Sequence, residues 1–170
     1  MRILFLSLLI FVLNTTTSVA ETESQCEKQV TSFLSGLRVE DPNKAVELWI
    51  LGVENRSGAV QFAMLSSSLK QKSRAQYEKR GWGTGQSSPW VDNFQIESKE
   101  ILNDTKIKFT VSYNLLTSYA NFGKWKKVIT VEKNESPYTN WLITDIKTEY
   151  NQWEAFTPGE TVIKSRSIKQ

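Results

Sequence analysis

The hydrophobic spacing of this 170-residue chain changes period at Gly81, and that change restricts the available folds more than any other feature. Before Gly81, apolar residues recur three and four apart. Val30, Phe33, Leu34 and Leu37 form one such stripe within Gln25 to Leu37. Asp41 and Pro42 then supply an N-cap and a proline at the first helical position, and Glu47 sits early, where its charge is favoured. Ala45, Val46, Leu48, Trp49, Ile50 and Val53 give this second helix a broad apolar face. Asn55-Arg56-Ser57-Gly58 breaks it, and a short helix from Ala59 to Leu65 and a basic helical stretch from Leu69 to Arg80 follow.

After Gly81 the pattern alternates. Ile107, Phe109, Val111, Tyr113 and Leu115 fall on one side of a strand and Lys106, Lys108, Thr110, Ser112 and Asn114 on the other, a half-buried strand with one wet face. Phe94 and Ile96 belong to a preceding strand joined through Asn103-Asp104, a pair suited to a tight turn. Asn121-Phe122-Gly123 turns the chain into a strand from Trp125 to Val131, and a polar loop from Asn134 to Asn140 leads to a last strand from Trp141 to Tyr150. Helices first and strands second predict an α+β domain, with N-terminal helices packed on a curved antiparallel four-stranded meander. The expected organisation is a leader at 1–20, one domain at 21–150 and a polar C-terminal tail at 151–170.

The leader has the order of a secretory signal peptide: one charge at Arg2, an apolar run from Ile3 to Leu13, and the small-x-small site Ser18-Val19-Ala20. The run falls short of the roughly 20 residues a membrane span needs, so cleavage near Ala20, export and no retained anchor are expected. Loss of residues 1–20, with one basic and no acidic residue, lowers the formal net charge from +3 to +2, too weak an imbalance for a nucleic-acid footprint. Cys26, alone in an oxidising compartment, has no internal disulfide partner and reads as a small apolar thiol or else as a link to another chain. The chain contains no histidine, which removes Ser-His and Cys-His nucleophile pairs, the usual zinc sites and the commonest general base.

Two segments, Asn55-Arg56-Ser57-Gly58-Ala59-Val60-Gln61-Phe62-Ala63-Met64-Leu65-Ser66 and Gly81-Trp82-Gly83-Thr84-Gly85-Gln86-Ser87-Ser88-Pro89-Trp90-Val91, together with the helix-then-strand order, resemble a group of exported proteins of Gram-positive bacteria. Their domain is similar to the NTF2-like (cystatin-like) superfamily of cone-shaped α+β folds. The resemblance implies a fold with a pocket between helices and concave sheet, a compartment, and possible pairing of two copies through their sheets. It implies no reaction, because such folds host many functions.

The candidate binding residues cluster where that pocket would open. Trp82 and Trp90 are rings able to stack on a sugar or a partner's apolar group, with Thr84, Ser87 and Ser88 between them. Trp125 lies among Lys124, Lys126 and Lys127, an aromatic set among cations that suits an anionic polymer or lipid headgroup, or else an outer strand protected by lysine. Gly81-Trp82-Gly83-Thr84-Gly85 follows a helix and opens a strand, the reverse of a phosphate-cradling loop. Ser67-Ser68-Leu69-Lys70 has the S-x-x-K spacing of penicillin-recognising enzymes, which need a far longer chain.

The leading expectation is a non-enzymatic exported domain that holds a small molecule, a wall polymer or another protein, with no cofactor and no metal. The alternative is a carboxylate-dependent isomerase or lyase. It would use Asp145, which an unbroken alternation places on one face with Trp141 and Ile143. The competing reading leaves that face in water, since Leu142, Ile146 and Tyr150 make the better core stripe.

Overall fold

The computed structural model describes residues 32, 36, 39–134 and 140–164. The chain divides into two compact units, residues 1–37 and 38–170. In the first unit only Ser32 and Gly36 are described, both helical. The expected leader, the apolar stripe before Leu37 and Cys26 lie outside the described residues. The second unit is α+β, with three helices and a five-stranded mixed sheet among its described residues.

Each helix begins where a side chain can satisfy its free N–H groups. Helix α1 (Pro42–Glu54) has Pro42 in its first turn and Asp41 at the N-cap, whose carboxylate accepts from Asn43 N at 2.8 Å. Helix α2 (Gly58–Ala63) is capped by Ser57 and helix α3 (Ser67–Lys79) by Ser66, each hydroxyl accepting from a backbone N–H three residues on. The apolar face predicted for α1 is buried through Ala45, Val46, Trp49, Ile50 and Val53 and packs on the sheet.

Strands β1 (Trp90–Asn103), β2 (Lys106–Leu116), β3 (Asn121–Asn134) and β4 (Asn140–Glu149) pair in chain order, all antiparallel. Strand β5 (Thr161–Ile163) pairs parallel to β4. Ile107, Phe109, Val111, Tyr113 and Leu115 are all buried, as the alternation in β2 predicts. Their neighbours on the inner face, Ile129, Val131, Ile143 and Ile146, meet Trp49, Leu65 and Tyr77 of the helical layer in the main core. The outer face is wet and laced with ion pairs, Lys106–Glu132, Lys108–Glu100, and Lys124 and Lys126 with Glu97.

Four expectations are corrected. The β2–β3 turn is at Thr117–Ala120, closed by Thr117 N donating to Ala120 O at 2.8 Å, and Asn121–Gly123 already belongs to β3. Strand β3 is interior to the sheet, so Lys124 to Lys127 protect no edge. Within the expected tail at 151–170, Asn151, Ala155 and Thr157 are buried, and the chain returns over Thr161–Ile163 to add β5. Strand β4 is bulged, because Thr130 faces Asp145 while Val131 faces Ile143, leaving Thr144 without an opposite residue. Trp141, Ile143 and Ile146 therefore all turn inward and Asp145 turns out.

Candidate functional site

A cavity of about 140 Å³ opens where α1 ends. It is bounded by Val53, Glu54 and Arg56, by Arg80 after α3, by the loop and strand start Gly85, Gln86 and Trp90, and by Glu154 to Thr157. Lys127 reaches it from β3. Five separate stretches of chain therefore converge on one opening.

Two turns hold its helical side together. Arg56, with φ +55°, ends the α1 break; its carbonyl accepts from Thr84 N at 3.1 Å, and Gly58 N donates to Trp82 O at 2.8 Å. Gly85 has φ +79°, and a Cβ there would stand 3.5 Å from the Arg56 stem. Only glycine takes that backbone without strain while Arg56 lies across it. Gly58 is tighter still, since a Cβ would meet Trp82 O at 2.7 Å. Behind the turns, Gln61 donates to Gly52 O at 2.9 Å and Thr84 Oγ1 at 2.5 Å, while the Tyr77 hydroxyl lies 3.3 Å from Pro158 O.

The inner end is ionic and dry. Lys127 and Glu160 keep only 1% and 0% of their side-chain surface exposed. Lys127 Nζ donates to both Glu160 oxygens at 3.0 and 2.9 Å and to Thr148 Oγ1 at 3.1 Å. Thr148 and Thr157 donate to the same carboxylate at 2.7 and 2.6 Å. The Tyr113 ring centroid is 4.7 Å from the ammonium. Burial holds the Lys127 pKa below the ordinary lysine value, and Glu160 opposes that shift. With its donors spent on Glu160 and Thr148, this amine is a strut joining β3 to the C-terminal segment.

The residues singled out in the sequence are dispersed. Trp90 lines the cavity. Trp82 does not project: it stacks on Tyr77 at 5.7 Å and meets Phe62 edge-on at 5.2 Å. Thr84 is buried as a partner of Gln61, whereas Ser87 and Ser88 are exposed. Trp125 packs inward, edge-on to Trp153 at 6.2 Å, and does not present a ring to solvent among cations. Asp145 sits on the outer face, 3.7 Å from Lys147, instead of in a hollow with Trp141 and Ile143. The competing stripe is half right, since Ile146 is buried but Leu142 is partly exposed and Tyr150 is exposed. Ser67 and Lys70 stand at the start of α3 and take no part in the cavity.

Sequence reasoning missed Arg56, Arg80, Lys127 and Glu160. For Lys127 the signal was present, because Trp125, Lys127, Ile129 and Val131 alternate in phase and share the inner face. Arg56 stood in a segment noted only as a helix break, and nothing in the sequence pointed to Glu160. Among the described residues no helix is long and apolar enough to cross a membrane, and no cluster of metal-ligating side chains occurs. No protein-family model matches the chain, and no curated protein or solved structure matches it either.

Proposed function

We propose that this chain is an exported NTF2-like domain that holds a ligand without transforming it, and that the ligand sits in the cavity between the end of α1 and Trp90. The helical layer on one face of a four-stranded antiparallel run supports the cone-like fold. The arrangement of Lys127 supports a binding function: this cavity-lining amine already spends its three N–H groups on Glu160 and Thr148. Asp145 offers no competing chemistry, since its carboxylate is on the outer face beside Lys147.

The test is a nuclear magnetic resonance screen of the isotope-labelled chain against small anionic, cationic, zwitterionic and neutral compounds. A ligand of the cavity shifts the Trp90 indole and the Gly85 and Gln86 amides saturably and leaves the Trp82 indole in place. If no class of compound moves Trp90 at millimolar concentration, the cavity is not a binding site. Export is tested separately by N-terminal sequencing of chain recovered outside the cell, which should begin at Glu21; a chain beginning at Met1 removes that part of the proposal.

A further inference from the structure

The cavity is lined by five charged side chains; Lys127 is paired with Glu160, and the other four, Glu54, Arg56, Arg80 and Glu154, form no ion pair among the described residues. Elsewhere on this surface, charges that come close do pair: Lys106 with Glu132, Lys124 and Lys126 with Glu97, Arg74 with Glu78. Around the cavity, two guanidinium groups and two carboxylates share one opening and are held apart.

Glu54 is placed at a cost. It is the last residue of α1, where the helix macrodipole disfavours a negative charge. Glu54 is largely exposed, and what burial it has, with the nearby Asp92 carboxylate, pushes its pKa up. Arg56 is placed just as deliberately, with its backbone in the left-handed region and its stem against Gly85. Arginine presents a planar fork of donors suited to a carboxylate, and Trp90, an aromatic residue of the kind that attracts an ammonium, lines the same opening. The volume of about 140 Å³ is well below that of a drug-sized pocket and excludes nucleotides and oligosaccharides.

From this arrangement we infer that the cavity takes a small zwitterion, an α-amino acid or a molecule with the same ammonium–carboxylate pair. The carboxylate lies on Arg56 and Arg80, and the ammonium lies on Glu54 beside Trp90. This assignment rests on the proposed binding function and specifies its ligand class. A zwitterion relieves both poles at once, whereas a simple anion leaves Glu54 uncompensated and a simple cation leaves the arginines so.

The experiment titrates the full chain with alanine, acetate and ethylammonium at low salt, reading the Trp90 indole resonance. Alanine should bind at least about tenfold more tightly than either half-molecule. Glu54→Gln and Arg56→Gln should each weaken alanine about tenfold, with Arg80→Gln as a further variant if Arg56→Gln loses its native spectrum. Glu54→Gln should not weaken acetate, since it removes a like charge from the opening. Acetate or ethylammonium binding as tightly as alanine overturns the assignment, as does alanine affinity that ignores Glu54 and Arg56. If Trp90 answers only to neutral compounds, the zwitterion assignment fails and the binding function stands; if it answers to none, both fail.

Discussion

Replacing Glu160 by alanine should be the most damaging single change to this domain that leaves its apolar core intact. The substitution deletes a carboxylate that accepts four hydrogen bonds, two from Lys127 and one each from Thr148 and Thr157. It strands an ammonium that is 1% exposed, with Thr148 as its remaining polar partner and the Tyr113 and Trp49 rings at 4.7 and 6.0 Å. Breaking one side of a buried ion pair costs about 3–5 kcal/mol. For a domain of this size, that corresponds to a fall of roughly 10–20 °C in Tm. Lys127→Met should cost somewhat less, because the two threonine hydroxyls still serve the carboxylate. The double variant Lys127→Met/Glu160→Met should be much milder than the sum of the singles, since paired charges of this kind are often replaceable by apolar groups at little cost. Urea unfolding followed by tryptophan fluorescence measures all three. The Glu160→Ala defect should also shrink as pH rises, because the stranded amine sheds its proton far more easily without its carboxylate. A cost below about 1 kcal/mol, or strict additivity in the cycle, would mean that water reaches Lys127 and that the pair is no strut.

Three further outcomes are expected. Gly52→Ala, which in an ordinary helix interior gains about 1 kcal/mol, should instead lose about 1–3 kcal/mol here. The added Cβ would stand 2.9 Å from Gln61 N and Cγ, so a stabilised variant in a urea melt would contradict the close α1–α2 contact. Tyr77 and Tyr113 both have pKa values raised mainly by burial, so the folded chain keeps protons that the unfolded chain releases above pH 10. Their contribution is complete below that pH and declines above it by about 1.4 kcal/mol per pH unit for each tyrosine. The lowered pKa of Lys127 acts in the opposite sense only up to 10.5, the ordinary lysine value, so a stability curve that stays flat beyond it would refute the burial of both phenols. Asp145→Asn should change stability by no more than about 0.5 kcal/mol, and a larger effect would show that Asp145 has a partner beyond Lys147.

The period switch at Gly81 and the capping residues Asp41, Ser57 and Ser66 act within one turn or one strand, and the α+β order and the β2 stripe were legible from them. Strand β4 was misread because its bulge at Thr144 depends on how β3 lies beside it, and a single strand's alternation contains no such information. Lys127 was legible as an inward position but was read with Lys124 and Lys126 as part of one cationic set. The carboxylate that permits its burial lies 33 residues away in a segment without periodicity. The exposed rings expected of Trp82 and Trp125 were a matter of tertiary packing on Tyr77 and Trp153. The cavity itself joins the end of α1, the end of α3, the start of β1 and the C-terminal segment, and no local pattern announces such a meeting.

Placing the counter-charge of a mid-sheet lysine at position 160 also gives the chain an order of completion. Synthesis must pass residue 160 before Glu160 can reach Lys127, so a nascent chain ending at β4 has either to leave that ammonium in water or to bury it alone. Either choice keeps the sheet and helices from closing fully. The segment around Glu160 thus acts as a clasp, and the domain stays loosely assembled until that segment has been made.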